Sequence, residues 1–139
     1  MKRKKKNLIY LAELEIPGQS EMNPKIMRLI LSELYTQIDF GYTAPWMYDG
    51  GGWIKIAPYT FLQIQGSKHR YKLIRVENIP IAPERHDFES IQDWKVFTLY
   101  FEPIPFEKCI IDMIEEIEPD ENDFNYTNIR IINLIEILE

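Results

Sequence analysis

WKVFTLYFEPIP, residues 94–105, alternates two apolar faces and then stops at two prolines. In an extended chain Trp94, Val96, Thr98 and Tyr100 fall on one side, and Lys95, Phe97, Leu99 and Phe101 on the other. Both sides carry large apolar groups, so the stretch reads as a central strand with protein packed over each face. Pro103 and Pro105 remove ladder donors and end it.

The segments around it read as further strands. Tyr10–Ile16 alternates Tyr10, Ala12, Leu14 and Ile16 against Glu13 and Glu15, and closes at Pro17-Gly18. Thr36, Ile38, Phe40 and Tyr42 share a face in the run that Pro45 ends. The run 53–64 leads through Gln65-Gly66-Ser67-Lys68 into Tyr71–Ile79, which is the pattern of an antiparallel hairpin. Residues 80–93 form a polar connection, Cys109–Ile114 a short strand, and Phe124–Leu138 a closing strand whose INLIEILE end also permits a helix. Residues 24–34 are ambiguous. Asn23-Pro24 suits a helix start with Ile26, Met27, Ile30, Leu31 and Leu34 at helical spacing, and periodicity favours this over a strand through Met27, Leu29 and Leu31.

Seven or eight short strands with Pro or Gly at most turns predict an all-β, antiparallel two-sheet sandwich of immunoglobulin-like form. The expected organisation is a basic disordered N-terminus over residues 1–7 and one domain over residues 8–139, a length that suits a single core.

Charge narrows the classes of function. Five of the 16 Lys and Arg lie in the first six residues, MKRKKK, which leaves eleven basic against 22 acidic side chains, or -11, for the rest. A body this acidic repels phosphate, so nucleic acid is not an expected partner. NLIYLAEL is interrupted by Glu13 and Glu15, so neither a complete signal peptide nor a transmembrane segment is read in the chain. That reading points to the cytoplasm. Cys109 is the single cysteine, which excludes an internal disulfide, and no Cys/His spacing suits zinc.

Few groups suggest chemistry. His69 sits in the hairpin turn, while His86 and Asp87 sit in the polar connection with no Ser or Cys in a nucleophile setting, so all three read as surface residues. The run Glu115–Asp123 offers carboxylates, but it lacks the glycine and closing glutamate of a calcium loop and reads as a solvated loop. Cys109 reads as a small buried hydrophobe. Gly50, Gly51 and Gly52 match no phosphate-binding pattern. The remaining candidate is a ligand-binding loop of Trp46, Tyr48, Gly50, Gly51, Gly52 and Trp53, with Tyr59 nearby, whose flat rings could stack on a sugar or anchor a protein. The structural alternative is that Trp53 and Phe61 are core and Trp46 caps one end of the sandwich.

Several stretches resemble the β-sandwich accessory domains of Bacteroidetes cell-envelope proteins. They are Arg28–Phe40, Trp53–Ile56, Tyr59–Leu62, Tyr71–Ile74 with Glu77–Ile79, Phe97–Pro105, Ile111–Glu115, and Phe124–Tyr126 before Ile129, together spanning residues 26–132. The resemblance implies a strand over Arg28–Leu31, a turn at Ser32-Glu33 and a strand over Thr36–Phe40, in place of the helix. It also implies a place in the periplasm or envelope, often beside thioredoxin-like redoxin domains, and no assigned catalytic residues. Asn128 stands where the pattern has glycine, which Asn can imitate at positive φ. No CxxC occurs, so redoxin chemistry does not carry over.

The expected function is therefore a non-catalytic accessory or interaction module for a protein or glycan, with no cofactor and no metal. One alternative is a hydrolase or metal-dependent enzyme built on His86, Asp87 and the acidic run. Another is a fragment of a larger redoxin-type envelope protein.

Overall fold

A computed structural model describes residues 6–11, 24–43, 53–81, 84, 86–87, 94–105, 109–115, 125–131 and 135–138. The strands are β1 (Lys6–Leu11), β2 (Lys25–Leu31), β3 (Thr36–Thr43), β4 (Trp53–Ile54), β5 (Phe61–Ile64), β6 (Tyr71–Glu77), β7 (His86–Asp87), β8 (Trp94–Phe101), β9 (Cys109–Ile114), β10 (Tyr126–Ile131) and β11 (Ile135–Leu138). Among the described residues there is no helix.

The all-β, antiparallel expectation is met. Nine strands form one continuous order, β10-β9-β5-β6-β8-β3-β2-β1-β11, and β4 and β7 form a separate pair. Strand β8, the WKVFTLYF run, stands in the middle. Seven strands from β10 through β2 carry most of the described core side chains, and they curl as a half-barrel. The curl is visible in contacts between strands far apart in the order: the Tyr126 ring of β10 lies 5.7 Å from the Phe40 ring of β3, and its hydroxyl donates to the Pro24 carbonyl just before β2.

The bend occurs at β6. Tyr71 and Lys72 pair with β5, whereas Leu73–Glu77 pair with β8, with a register shift between Leu73 and Arg75. A bulged strand that changes partner part-way turns a corner, and so brings two halves of one sheet face to face.

The core fills the concave side. Leu29, Leu31, Ile38, Phe40, Leu62, Phe97, Leu99, Phe101, Ile111, Met113, Tyr126, Ile129 and Ile131 are buried, and Phe40 stacks on Phe97 at 5.0 Å. The period-2 pattern of β3 and β8 explains this, since Ile38↔Leu99 and Phe40↔Phe97 are direct cross-strand partners.

The outer face corrects the reading of β8 as buried on both sides. Val96 is 43% exposed, and Thr98 is only half-buried. Tyr100 is covered, but by the edge of Tyr35 at 4.9 Å and by the Arg75 guanidinium 4.2 Å above its ring, and not by a second apolar layer. The neighbours complete a polar row: Asp39 accepts from Arg28 Nε at 2.8 Å, Thr98 Oγ1 at 2.8 Å and Gln37 Nε2 at 3.1 Å.

Lys25–Leu31 is strand and the residues after it turn into β3, so the helix that periodicity favours over residues 24–34 does not form. Ser32 shapes the turn, its hydroxyl accepting from the Tyr35 and Leu34 amides and donating to the Tyr35 carbonyl. A register shift between Ile26 and Arg28 sends Ile26 inward and leaves Met27 exposed, which a simple alternation through Met27 misplaces. At the ends, Lys6 and Asn7 belong to β1 and not to a tail, and Ile135–Leu138 is strand. Cys109 is half-buried against the core.

Asn128 has φ 60, a left-handed conformation that Asn adopts more readily than most residues other than glycine. It sits in the irregularity between Tyr126 and Ile129 of β10, its amide donating to Asp112 Oδ1 and its side-chain oxygen accepting from Gln65 Nε2. A β-branched residue tolerates this region poorly. Asn128→Val is expected to cost about 1–2 kcal/mol, read as a lower urea midpoint, whereas Asn128→Gly stays within about 1 kcal/mol of the parent.

Candidate functional site

Register brings one set of connections together. Strand pairing aligns Thr43 with Trp94, Gly41 with Lys25, Arg28 with Leu11 and Met113 with Tyr126. The segments 12–23, 44–52, 88–93 and 116–124 are therefore all entered or left at the same end of the sheet. The β4–β7 pair belongs to these connections, with Trp53 opposite Asp87 and Ile54 opposite His86.

The chain anchors this pair from below. Ile56 is fully buried, bridges Ile81 in parallel and donates its amide to the Pro80 carbonyl at 3.1 Å. Pro58-Tyr59 then makes a turn in which the Thr60 amide and hydroxyl both donate to the Ala57 carbonyl, at 3.2 and 2.7 Å. The Ala57 amide donates to Glu115 Oε2 at 2.8 Å, and the Glu115 amide donates to Asn125 Oδ1 at 2.9 Å. These bonds tie the foot of β4 to the junction between β9 and β10.

Glu115 thus departs from the solvated loop expected for the acidic run. It is 8% exposed and serves as an acceptor for a buried amide. A run of like charges predicts solvent exposure on average, but its first member here follows directly on β9 and meets an amide that no ladder reaches. Glu115→Ala is expected to cost about 1–3 kcal/mol because the Ala57 N–H loses a buried acceptor. Glu115→Gln keeps an acceptor oxygen and should cost clearly less, a contrast that chemical denaturation resolves.

Tyr126 lies beside this junction, fully buried. Burial pushes its hydroxyl well above the ordinary tyrosine range, and the nearby Glu115 and Tyr42 push it the same way.

The sequence-derived candidates fall as follows. Trp46, Tyr48, Gly50, Gly51 and Gly52 lie outside the described residues, as do residues 116–123 of the acidic run. Trp53 begins β4, and its backbone faces that of Asp87. Trp53, the described member of the aromatic candidate, and the His86-Asp87 pair, two separate candidates in the sequence, therefore share one short ribbon. His69 is exposed in the β5–β6 hairpin at the opposite end of the sheet, its ring edge-on to Tyr71 at 4.5 Å. Phe61 is buried as expected. Among the described residues no group of His, Cys, Asp and Glu is arranged to hold a metal ion, and no helix is long and apolar enough to cross a membrane. Comparison with protein families, curated proteins and solved structures gives no match.

Sequence reasoning missed the union of the two candidates because a pair of two-residue strands has no periodicity to detect.

Proposed function

We propose that this chain is a non-catalytic interaction module of the immunoglobulin-like sandwich kind, an accessory domain of a bacterial envelope protein. It binds a glycan or protein segment at the end of the sheet where Trp53 and Ile54 pair with Asp87 and His86. The observation that carries this reading is the register Trp53↔Asp87 and Ile54↔His86. A tryptophan and an aspartate at paired backbone positions are the two residue types that recognise a sugar, one offering a flat apolar surface and the other hydrogen-bond acceptors for hydroxyls. The polar groups buried beneath are occupied in structural roles: Glu115 holds Ala57 and Tyr126 holds Pro24. Binding accordingly falls to the loops above them.

The test is a glycan array together with a panel of extended peptides, read with the parent and with Trp46→Ala, Trp53→Ala and Asp87→Asn. A ligand that the parent retains and these variants lose supports the reading. A ligand retained equally by all of them removes the site. The hydrolase alternative draws on the same register, since Ile54↔His86 sets the imidazole-bearing residue on this ribbon and Glu115 begins the acidic run at its foot. Turnover of chromogenic esters or glycosides that His86→Ala abolishes would replace binding with catalysis.

A further inference from the structure

At the opposite end of the sheet the β5–β6 hairpin carries a charge of the wrong sign for this chain. No Asp or Glu occurs from Gly50 to Val76, although the chain holds 22 acidic residues, and Lys55, Lys68, Arg70, Lys72 and Arg75 all lie in this stretch. Arg75 is engaged by Glu77 at 3.4 Å. Lys68, Arg70 and Lys72 are exposed and have no acidic partner within ion-pair distance among the described residues. They are spaced two apart on the run that leads into β6 at Tyr71, a spacing that in extended backbone puts them on one side, with His69 and Tyr71 on the other. The contacts agree: the Arg70 guanidinium lies 4.4 Å over the Phe61 ring, and His69 meets Tyr71.

The hairpin also has an open edge. Its ladder to β5 holds only Phe61↔Lys72 and Leu62↔Tyr71. On the other side, β8 pairs with β6 from Leu73 onward, and the last backbone bond there runs from the Glu102 amide to the Lys72 carbonyl at 2.9 Å. Residues 68–71 therefore have no strand partner on the β8 side among the described residues. The turn that presents them is fixed by Gly66 at φ 90, the Ser67 amide on the Ile64 carbonyl and Gln63 Nε2 on the Ser67 carbonyl.

We propose that residues 68–71 dock an extended acidic peptide segment of a protein partner by strand addition. Main-chain groups of the edge give the ladder, and carboxylates at alternate positions of the peptide face Lys68, Arg70 and Lys72. The match is one of period: side chains two apart on a strand repeat at about 6.6–6.8 Å on both partners. Charge complementarity favours a short peptide over a nucleic acid. A polynucleotide long enough to bind by its phosphates runs off three cations onto a body of the same sign as itself, and it has no amide ladder to offer. This surface is distinct from the β4–β7 end, and its test does not depend on that reading.

The probe is a fluorescein-labelled alternating Glu-Val heptapeptide, followed by anisotropy at low salt, with amide chemical shifts mapped on the full chain. Binding with shifts concentrated at residues 68–72, and weakened about tenfold or more by the K68E/R70E/K72E variant but not by Lys55→Glu, is the expected result. Circular dichroism of the variant checks that the exposed substitutions leave the fold intact. Absence of binding overturns the proposal and leaves the cations as guards against edge-to-edge pairing. Equal binding by the triple variant, or preferential capture of single-stranded DNA, overturns it as well.

Discussion

Phe97→Ala should destabilise the fold by about 3–5 kcal/mol, a large share of the roughly 5–15 kcal/mol that holds a domain of this size together. The ring is 1% exposed on the middle strand of the sheet and stacks on Phe40, which in turn meets Tyr126 from β10. Truncation removes apolar burial and opens a cavity between the two halves of the curl, where neither half can close on its own. The neighbouring Val96→Ala is the matched control. Val96 lies on the same strand but is 43% exposed on the convex face, so its loss should stay below about 1 kcal/mol. Urea midpoints of the two variants measure the difference directly. Equal losses would mean that both faces of β8 are covered, as its sequence alone suggests.

That contrast shows what could be read from the chain. The alternation of WKVFTLYF identified the central strand and put Phe97, Leu99 and Phe101 on one face, without naming that face as the inner one. It could not distinguish an apolar outer face from one covered by Arg75, Asp39 and Tyr35, since those residues arrive from β6 and β3 and the segment before it. The two-sheet expectation met a similar limit. Face-to-face halves follow from the hydrophobic pattern, but their continuity through β6 depends on one bulge between Leu73 and Arg75 that leaves no mark in periodicity. Register at Met27 failed for the same reason, and the positive φ of Asn128 likewise leaves no mark in periodicity.

The candidate site was legible as residue types but not as a place. Trp53, His86 and Asp87 each stood out, yet Trp53 lies more than thirty positions from the other two, and only two pairs of backbone partners join them. Glu115 was assigned to solvent with the rest of its acidic run, although the Ala57 amide it holds fixes the foot of that ribbon. Only tertiary contact separates the first member of the run from the others.

Stability should fall as pH rises above about 10, and Tyr126 should account for much of the loss. Complete burial, reinforced by Glu115 and Tyr42, raises the hydroxyl well above its ordinary value in the folded chain, where it donates to the Pro24 carbonyl. In the unfolded chain the same group ionises near its ordinary value. A folded-state pKa above the unfolded one gives stability that is complete below the unfolded value and drains away as pH climbs toward the folded one. Tyr126→Phe should lower stability at neutral pH by about 1 kcal/mol through the lost hydrogen bond. It should also flatten the alkaline decline, so that the gap between variant and parent narrows above about pH 10. A residual slope is expected from Tyr100, whose hydroxyl is raised by burial and then by its hydrogen bond with Glu77, and Tyr100→Phe in the same background should reduce it. Urea midpoints across the alkaline range test both steps, and a parallel decline in parent and Tyr126→Phe would show that the buried hydroxyl is not the group responsible.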